Sequence, residues 1–238
     1  GLSRFDGYSF VNFLPNPSDS SSLRGNLVRV IREDSRGNLL IGTENGGLNI
    51  FDRKKERFSH LLQQNNSGLL FQDISVNDIE EDKLGNLWLG TDYNILVTDT
   101  TGKITPLSPR MINADFEFEG NFIRILQFDN KGNLWIGTNN GIFLYHPATN
   151  EMEIFELPFQ MNHNREIWEI YKDDEGLLWI GTYSSGLFLV DPETKTTRTI
   201  QLDPEIERTE TVRSISKGIF GDFWIGTRGG LYIYSKAL

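Results

Sequence analysis

One short sequence recurs five times in this chain. Asn38-Leu39-Leu40-Ile41-Gly42-Thr43 returns at 86–91, 133–138, 177–182 and 222–227, with Trp in place of Leu40 in all four later copies. The Gly-Thr pairs begin at 42, 90, 137, 181 and 226, so successive copies stand 48, 47, 44 and 45 residues apart. A period of this size means that the chain stacks one supersecondary unit repeatedly, each copy burying its apolar face on the next.

Each unit reads as four short strands. In the first copy these are Asn26 to Glu33, Asn38 to Thr43, Gly47 to Phe51 and Arg57 to Leu62. The turn Asp34-Ser35-Arg36-Gly37 separates the first two. Its Asp accepts bonds from backbone groups ahead of it, and its Gly takes a positive φ without steric cost. The same Asp-x-x-Gly turn stands at 82–85, 129–132 and 173–176, whereas the last unit has Gly218 in the Asp position. No sustained 3.6-residue apolar stripe is present, and strands such as Leu134-Trp135-Ile136 are apolar on both faces. Sheets covered on both sides read in this way. The expected fold is therefore all-β: a β-propeller of four-stranded antiparallel blades, with the Gly-Thr strand second from the axis. A partial blade is expected at 1–25, full blades at 26–72, 73–119, 120–163 and 164–208, and a last blade at 209–238. Trp88, Trp135, Trp179 and Trp224 share one repeat position and are expected to fill the gaps between blades.

Composition narrows the function. Lys plus Arg number 23 and Asp plus Glu 33, a net charge of −10, which argues against nucleic acid as a partner. No run of 18 apolar residues is present, so no direct membrane insertion is expected. The chain has no cysteine, and His60, His146 and His163 are scattered without i, i+4 spacing. No metal site, cofactor or catalytic residue is therefore expected. His163 beside Arg165 is read as part of a solvated loop.

Ligand binding is expected on the face that carries the loops after each Gly-Thr pair and the long crossings between blades, because variable loops on a rigid scaffold commonly bind. Five residues before each turn Asp, or before Gly218, stand Arg29, Asn77, Arg124, Trp168 and Arg213. All lie early in a first strand, near the expected channel mouth. Tyr93, Tyr183 and Arg228 follow Gly-Thr pairs on the same face. Arginines beside a tryptophan suit a ligand with a carboxylate or sulfate, with Trp168 stacked on a sugar ring. In the bland reading, the arginines at this position bond neighbouring strands or acidic loops.

The motif Asp-x-x-Gly-Asn-Leu-Trp-Ile-Gly-Thr, best matched at 129–138, resembles the two-component regulator propeller repeats of bacterial sensors. Gly1 to Phe10 is similar to the opening repeat of the hybrid two-component sensors of glycan-degrading gut bacteria. The resemblance implies a periplasmic sensor region with two seven-bladed propellers, ahead of a membrane helix and a histidine kinase. It implies an oligosaccharide ligand, and as partners the remaining blades or a second propeller. Seven blades at this period need about 320 residues, so the chain is expected to be part of one propeller, with end blades prone to self-association. A propeller lyase or glycan-cleaving enzyme and a protein-interaction propeller are the alternative readings.

Overall fold

The computed structural model describes residues 1–61, 73–112, 121–159, 164–202 and 211–235, which form two compact units, Gly1–Leu107 and Ser108–Leu238. Among the described residues all regular elements are strands, and the fold is a β-propeller.

The first unit opens with the hairpin β1 (Leu2–Phe5) and β2 (Phe10–Phe13). Blade one follows as β3 (Val28–Glu33), β4 (Leu39–Thr43), β5 (Gly47–Asp52) and β6 (Arg57–His60), hydrogen-bonded in that order. Blade two repeats this as β7 (Val76–Glu81), β8 (Leu87–Thr91), β9 (Ile95–Thr98) and β10 (Ile104–Pro106). Leu40 and Leu48 of blade one pack with Val76, Ile79 and Leu89 of blade two, so the core lies between the sheets.

In the second unit, blade three comprises β12 (Ile123–Phe128), β13 (Leu134–Thr138), β14 (Gly141–His146) and β15 (Glu151–Phe155). The short strand β11 (Arg110–Met111) lies parallel to β15 as a fifth, outer strand. Blade four is β16 (Ile167–Lys172), β17 (Leu178–Thr182), β18 (Leu187–Asp191) and β19 (Thr196–Ile200). Blade five shows β20 (Val212–Lys217), β21 (Phe223–Thr227) and β22 (Leu231–Tyr234). The first strands adjoin one another, β12 against β16 and β16 against β20.

The Gly-Thr pair has a physical role in this stacking. A Cβ on Gly137 would stand 2.5 Å from Ile125 Cγ2 and 2.7 Å from Ile167 Cγ2, and one on Gly181 2.7 Å from Val212 Cγ1. The missing side chain lets the first strand of the following blade come against the second strand of its predecessor. The threonine closes the next turn: Thr138, Thr182 and Thr227 donate to the carbonyls of Gly141, Gly186 and Gly230.

The tryptophans divide. Trp135 and Trp179 are 0 % exposed and Trp88 is buried, as the repeat position predicts, and Trp179 stacks on Phe223 of blade five with centroids 4.3 Å apart. Trp224 corrects the expectation, because it is 44 % exposed. Among the described residues no further sheet lies against its side of blade five, so the indole has nothing to fill.

Candidate functional site

Five equivalent residues on the first strands, Arg29, Asn77, Arg124, Trp168 and Arg213, share a backbone feature that the sequence does not reveal. Each is skipped by the register of its strand pair. Ile123 faces Thr138 and Ile125 faces Gly137, leaving Arg124 between them. Trp168 is passed over between Ile167 and Glu169, and Arg213 between Val212 and Ser214. Arg29 and Asn77 occupy the same shift in the first unit. A bulge adds a residue to one strand and re-aims its side chain, and such features recur beside functional sites.

Within the first unit the bulge residues are answered by acid. Arg29 pairs with Glu44, and Asn77 Nδ2 donates to Asp92 Oδ1 at 3.0 Å. Glu44 and Asp92 each directly follow a Gly-Thr pair. Tyr93, the next residue after Asp92, points largely into solvent. The bland reading describes Arg29 well.

The second unit is built differently. The residues that follow its Gly-Thr pairs are Asn139, Tyr183 and Arg228, none of them acidic. The guanidinium carbons of Arg124 and Arg213 each lie over the Trp168 ring, 4.6 Å from its centroid. One guanidinium comes from blade three and the other from blade five, with Trp168 on the strand between. The Tyr183 ring stacks beside Trp168, with centroids 6.2 Å apart and planes 24° from parallel. The indole is thus engaged by two cations rather than presented bare for a sugar.

Two residues that sequence reading passed over complete the cluster. Glu166, two positions before Trp168, pairs with Arg124, and the Phe122 ring lies 5.0 Å from the Arg124 guanidinium. Their proximity to bulge positions was the available signal. The loops are tied together by hydrogen bonds to backbone carbonyls. Tyr183 N–H donates to the Glu166 carbonyl at 2.9 Å, Thr211 Oγ1 donates to the Tyr183 carbonyl at 2.6 Å, and Arg228 N–H donates to the Thr211 carbonyl at 3.0 Å. Arg228 therefore stands in the adjoining turn, with an exposed side chain.

The charges do not cancel. Glu166 answers Arg124, but Arg213 is exposed and has no ion-pair partner among the described residues. Trp168 Nε1 and Arg124 Nε are buried and have no acceptor among the described residues. The cluster therefore holds surplus donors and an unanswered cation, and can receive an anionic or oxygen-rich ligand. No group of carboxylates and histidines able to hold a metal occurs among the described residues. Arg165 lies near Glu156, at 3.6 Å, and near the Phe159 ring; His163 and most of the inter-blade crossings lie outside the described residues. Among the described residues no helix is long and apolar enough to cross a membrane.

Comparison with known proteins fits this architecture. The family model described as two component regulator propeller matches residues 22–45, 68–93, 117–140 and 161–184. Over 98 residues, 39 % of this chain and 7 % of the relative, the sequence is 33 % identical to histidine kinase P4 of Formosa agariphila. In fold it is similar to the extracellular domains of two B. thetaiotaomicron proteins described as hybrid two component systems. One is 24 % identical with a TM-score of 0.74, covering 96 % of this chain and 29 % of the other. The second is 23 % identical with a TM-score of 0.73, covering 96 % and 31 %. PorZ of Porphyromonas gingivalis, a surface component of the type-IX secretion system, is 18 % identical with a TM-score of 0.71, covering 98 % and 36 %. The chain thus spans under a third of the length of the two hybrid-system domains and less than a tenth of the kinase. Over those four stretches, each of which ends at or just after a Gly-Thr pair, the chain matches the two component regulator propeller repeat.

Proposed function

We propose that this chain is a non-catalytic, ligand-sensing propeller region of a two-component sensor, placed in the periplasm, and that it binds an oligosaccharide. The observation that carries the reading is the Arg124–Trp168–Arg213 cluster with Tyr183 beside it, four side chains brought together by bulged strands and a pinned loop. Similarity to extracellular domains of hybrid systems supports the sensor assignment. The apolar face of blade five, with Trp224, Leu231 and Ile233 exposed, is a surface for another blade or, in the isolated chain, for a second copy.

Calorimetry against a panel of plant, algal and host oligosaccharides tests the reading. Binding is expected to weaken on Trp168→Ala, with unchanged glycans recovered by mass spectrometry. A panel with no binder, or cleavage products in the mixture, would defeat it. Light scattering is expected to show self-association that declines on Trp224→Ser.

A further inference from the structure

The five bulge positions are equivalent in backbone but not in charge balance, and the imbalance is confined to one of them. Arg29, Asn77 and Arg124 each have an acidic neighbour, Glu44, Asp92 and Glu166 respectively. Arg213 has none among the described residues, and where blade one places Glu44 and blade two Asp92, blade five places Arg228. Two positive residues thus stand where blades one and two pair a cation or an amide with a carboxylate. Arg213 is also held in a particular way. Its guanidinium carbon lies over the indole of Trp168, 4.6 Å from the ring centroid. A cation–π contact uses none of the guanidinium N–H donors as hydrogen bonds to a carboxylate, so the fork of Arg213, which has no ion-pair partner among the described residues, is left for an oxyanion.

The cleft between the 15–25 loop and Gly46 is lined mainly by residues that bond one another within that loop. The His146–Glu153–Lys195 network ties blade three to blade four with every partner satisfied.

We infer that Arg213 receives a single monoanionic oxyacid group of the ligand, a carboxylate or a sulfate ester, with Trp168 as the platform that holds the fork in place. The inference rests on the oligosaccharide reading above and narrows it to acidic sugars. Of the two guanidiniums over the indole, Arg124 is answered by Glu166 and Arg213 by no carboxylate among the described residues, so one of them is left to be met by the ligand. The attraction is local, since a chain of net charge −10 does not draw polyanions from a distance. A short acidic oligosaccharide fits and a long polyanion does not.

The test is calorimetry on the whole chain with four sets of probes: uronate di- and trisaccharides of several linkages, the same sugars with the carboxyl reduced to alcohol, singly sulfated disaccharides, and small non-sugar carboxylates. At least one uronate or sulfated probe is expected to bind more than about tenfold tighter than its neutral counterpart, as loss of a charge-assisted bidentate pair implies. Arg213→Gln is expected to abolish that preference and Arg213→Lys to restore part of it. Arg213 is exposed, so the thermal midpoint of both variants should match the wild type. Which of the uronate and sulfate arms binds identifies the source of the anion. Neutral and acidic sugars binding alike would overturn the inference and leave the oligosaccharide reading standing. Non-sugar carboxylates binding as tightly as uronates, in an Arg213-dependent way, would uphold the anion site and remove the oligosaccharide reading. Absence of binding by every acidic probe, or an acid preference that survives Arg213→Gln, would overturn the inference.

Discussion

The indole N–H of Trp179 donates to Asp173 Oδ2 at 3.0 Å, which ties the second strand of blade four to the turn that precedes it. The same bond joins Trp135 to Asp129 at 3.2 Å and Trp88 to Asp82 at 3.1 Å. The first Asp oxygen meanwhile accepts from backbone N–H groups of the turn. Asp-x-x-Gly-x-x-Trp is therefore one hydrogen-bonded unit, in which the turn carboxylate satisfies a buried indole. Trp135→Ala is expected to cost about 3–5 kcal/mol through the cavity it leaves. Trp135→Phe keeps most of the apolar volume but strips Asp129 of a donor, at about 1–3 kcal/mol. Trp224→Ala, at the exposed member of the series, should cost less than either. Urea titrations of the three variants rank these effects; equal losses at 135 and 224 would contradict the packing described.

Blade five solves the same problem with its residues exchanged. Gly218 occupies the usual Asp position, and Asp222, in the place of Asn86 and Asn133, supplies the carboxylate, accepting from Trp224 Nε1 at 2.6 Å. A Cβ on Gly218 would stand 2.5 Å from Asp222 Oδ1 and 2.8 Å from Trp224 Nε1. Gly218→Asp alone should therefore destabilise by crowding two carboxylates, while Gly218→Asp with Asp222→Asn should recover most of the loss. A double-mutant cycle by thermal melting checks this, and additive effects would show that the two sites do not share one role.

Gly137 tests the packing between blades. Because a methyl group there meets both Ile125 and Ile167, Gly137→Ala is expected to cost about 1–3 kcal/mol by overpacking. Adding Ile167→Val should relieve part of it. Guanidinium unfolding of the single and double variants measures both. No loss in the single variant would mean that the blades approach less closely than described.

Stability should fall with acid in two windows. Burial, together with nearby Arg24, holds the His60 imidazole below its ordinary 6.5 despite the bond to the Ser22 carbonyl. The unfolded chain then binds a proton that the folded chain refuses, so stability declines as pH drops below 6.5 and levels off beneath the folded value. Burial of Asp82 pushes its carboxyl up, but donation from Trp88, from Asn86 and from the Leu84 backbone outweighs this and holds it below the ordinary 3.8. Its contribution is present above 3.8 and is lost as pH falls through the lower folded value. Thermal midpoints across pH 2–8 should show both declines, with His60→Asn removing the upper and Asp82→Asn weakening the lower.

Much of this molecule was legible because its repeat is a packing unit. Gly137, Thr138 and Trp135 recur because each blade needs the same close approach, the same turn closure and the same filler, so spacing alone located strands and core. Trp224 misled for the same reason: the repeat marks a position, not whether a neighbour covers it. The candidate site was visible only in part. Counting back from the turn found Arg124, Trp168 and Arg213, because a bulge preserves position along the strand. It did not find the bulge itself, which is a matter of register, nor Glu166, whose partnership crosses from one blade to the next.

That partnership carries a final expectation. The Arg124–Glu166 pair is mostly shielded, with side chains 27 % and 13 % exposed. Glu166→Gln removes the carboxylate and leaves the guanidinium uncompensated over the Trp168 ring. The folded chain should lose about 1–3 kcal/mol, less than for a fully buried pair. The same change adds a positive charge to a cluster that already holds Arg213 unanswered, so an acidic oligosaccharide should bind severalfold more tightly, and more so at low salt. Neutral sugars should show no gain. The opposed effects separate the two roles of Glu166, since a merely structural residue would weaken binding as it weakens the fold. Thermal melts and calorimetry on one preparation at two salt concentrations decide it, and a loss of affinity for acidic and neutral sugars together would assign Glu166 to ligand contact instead.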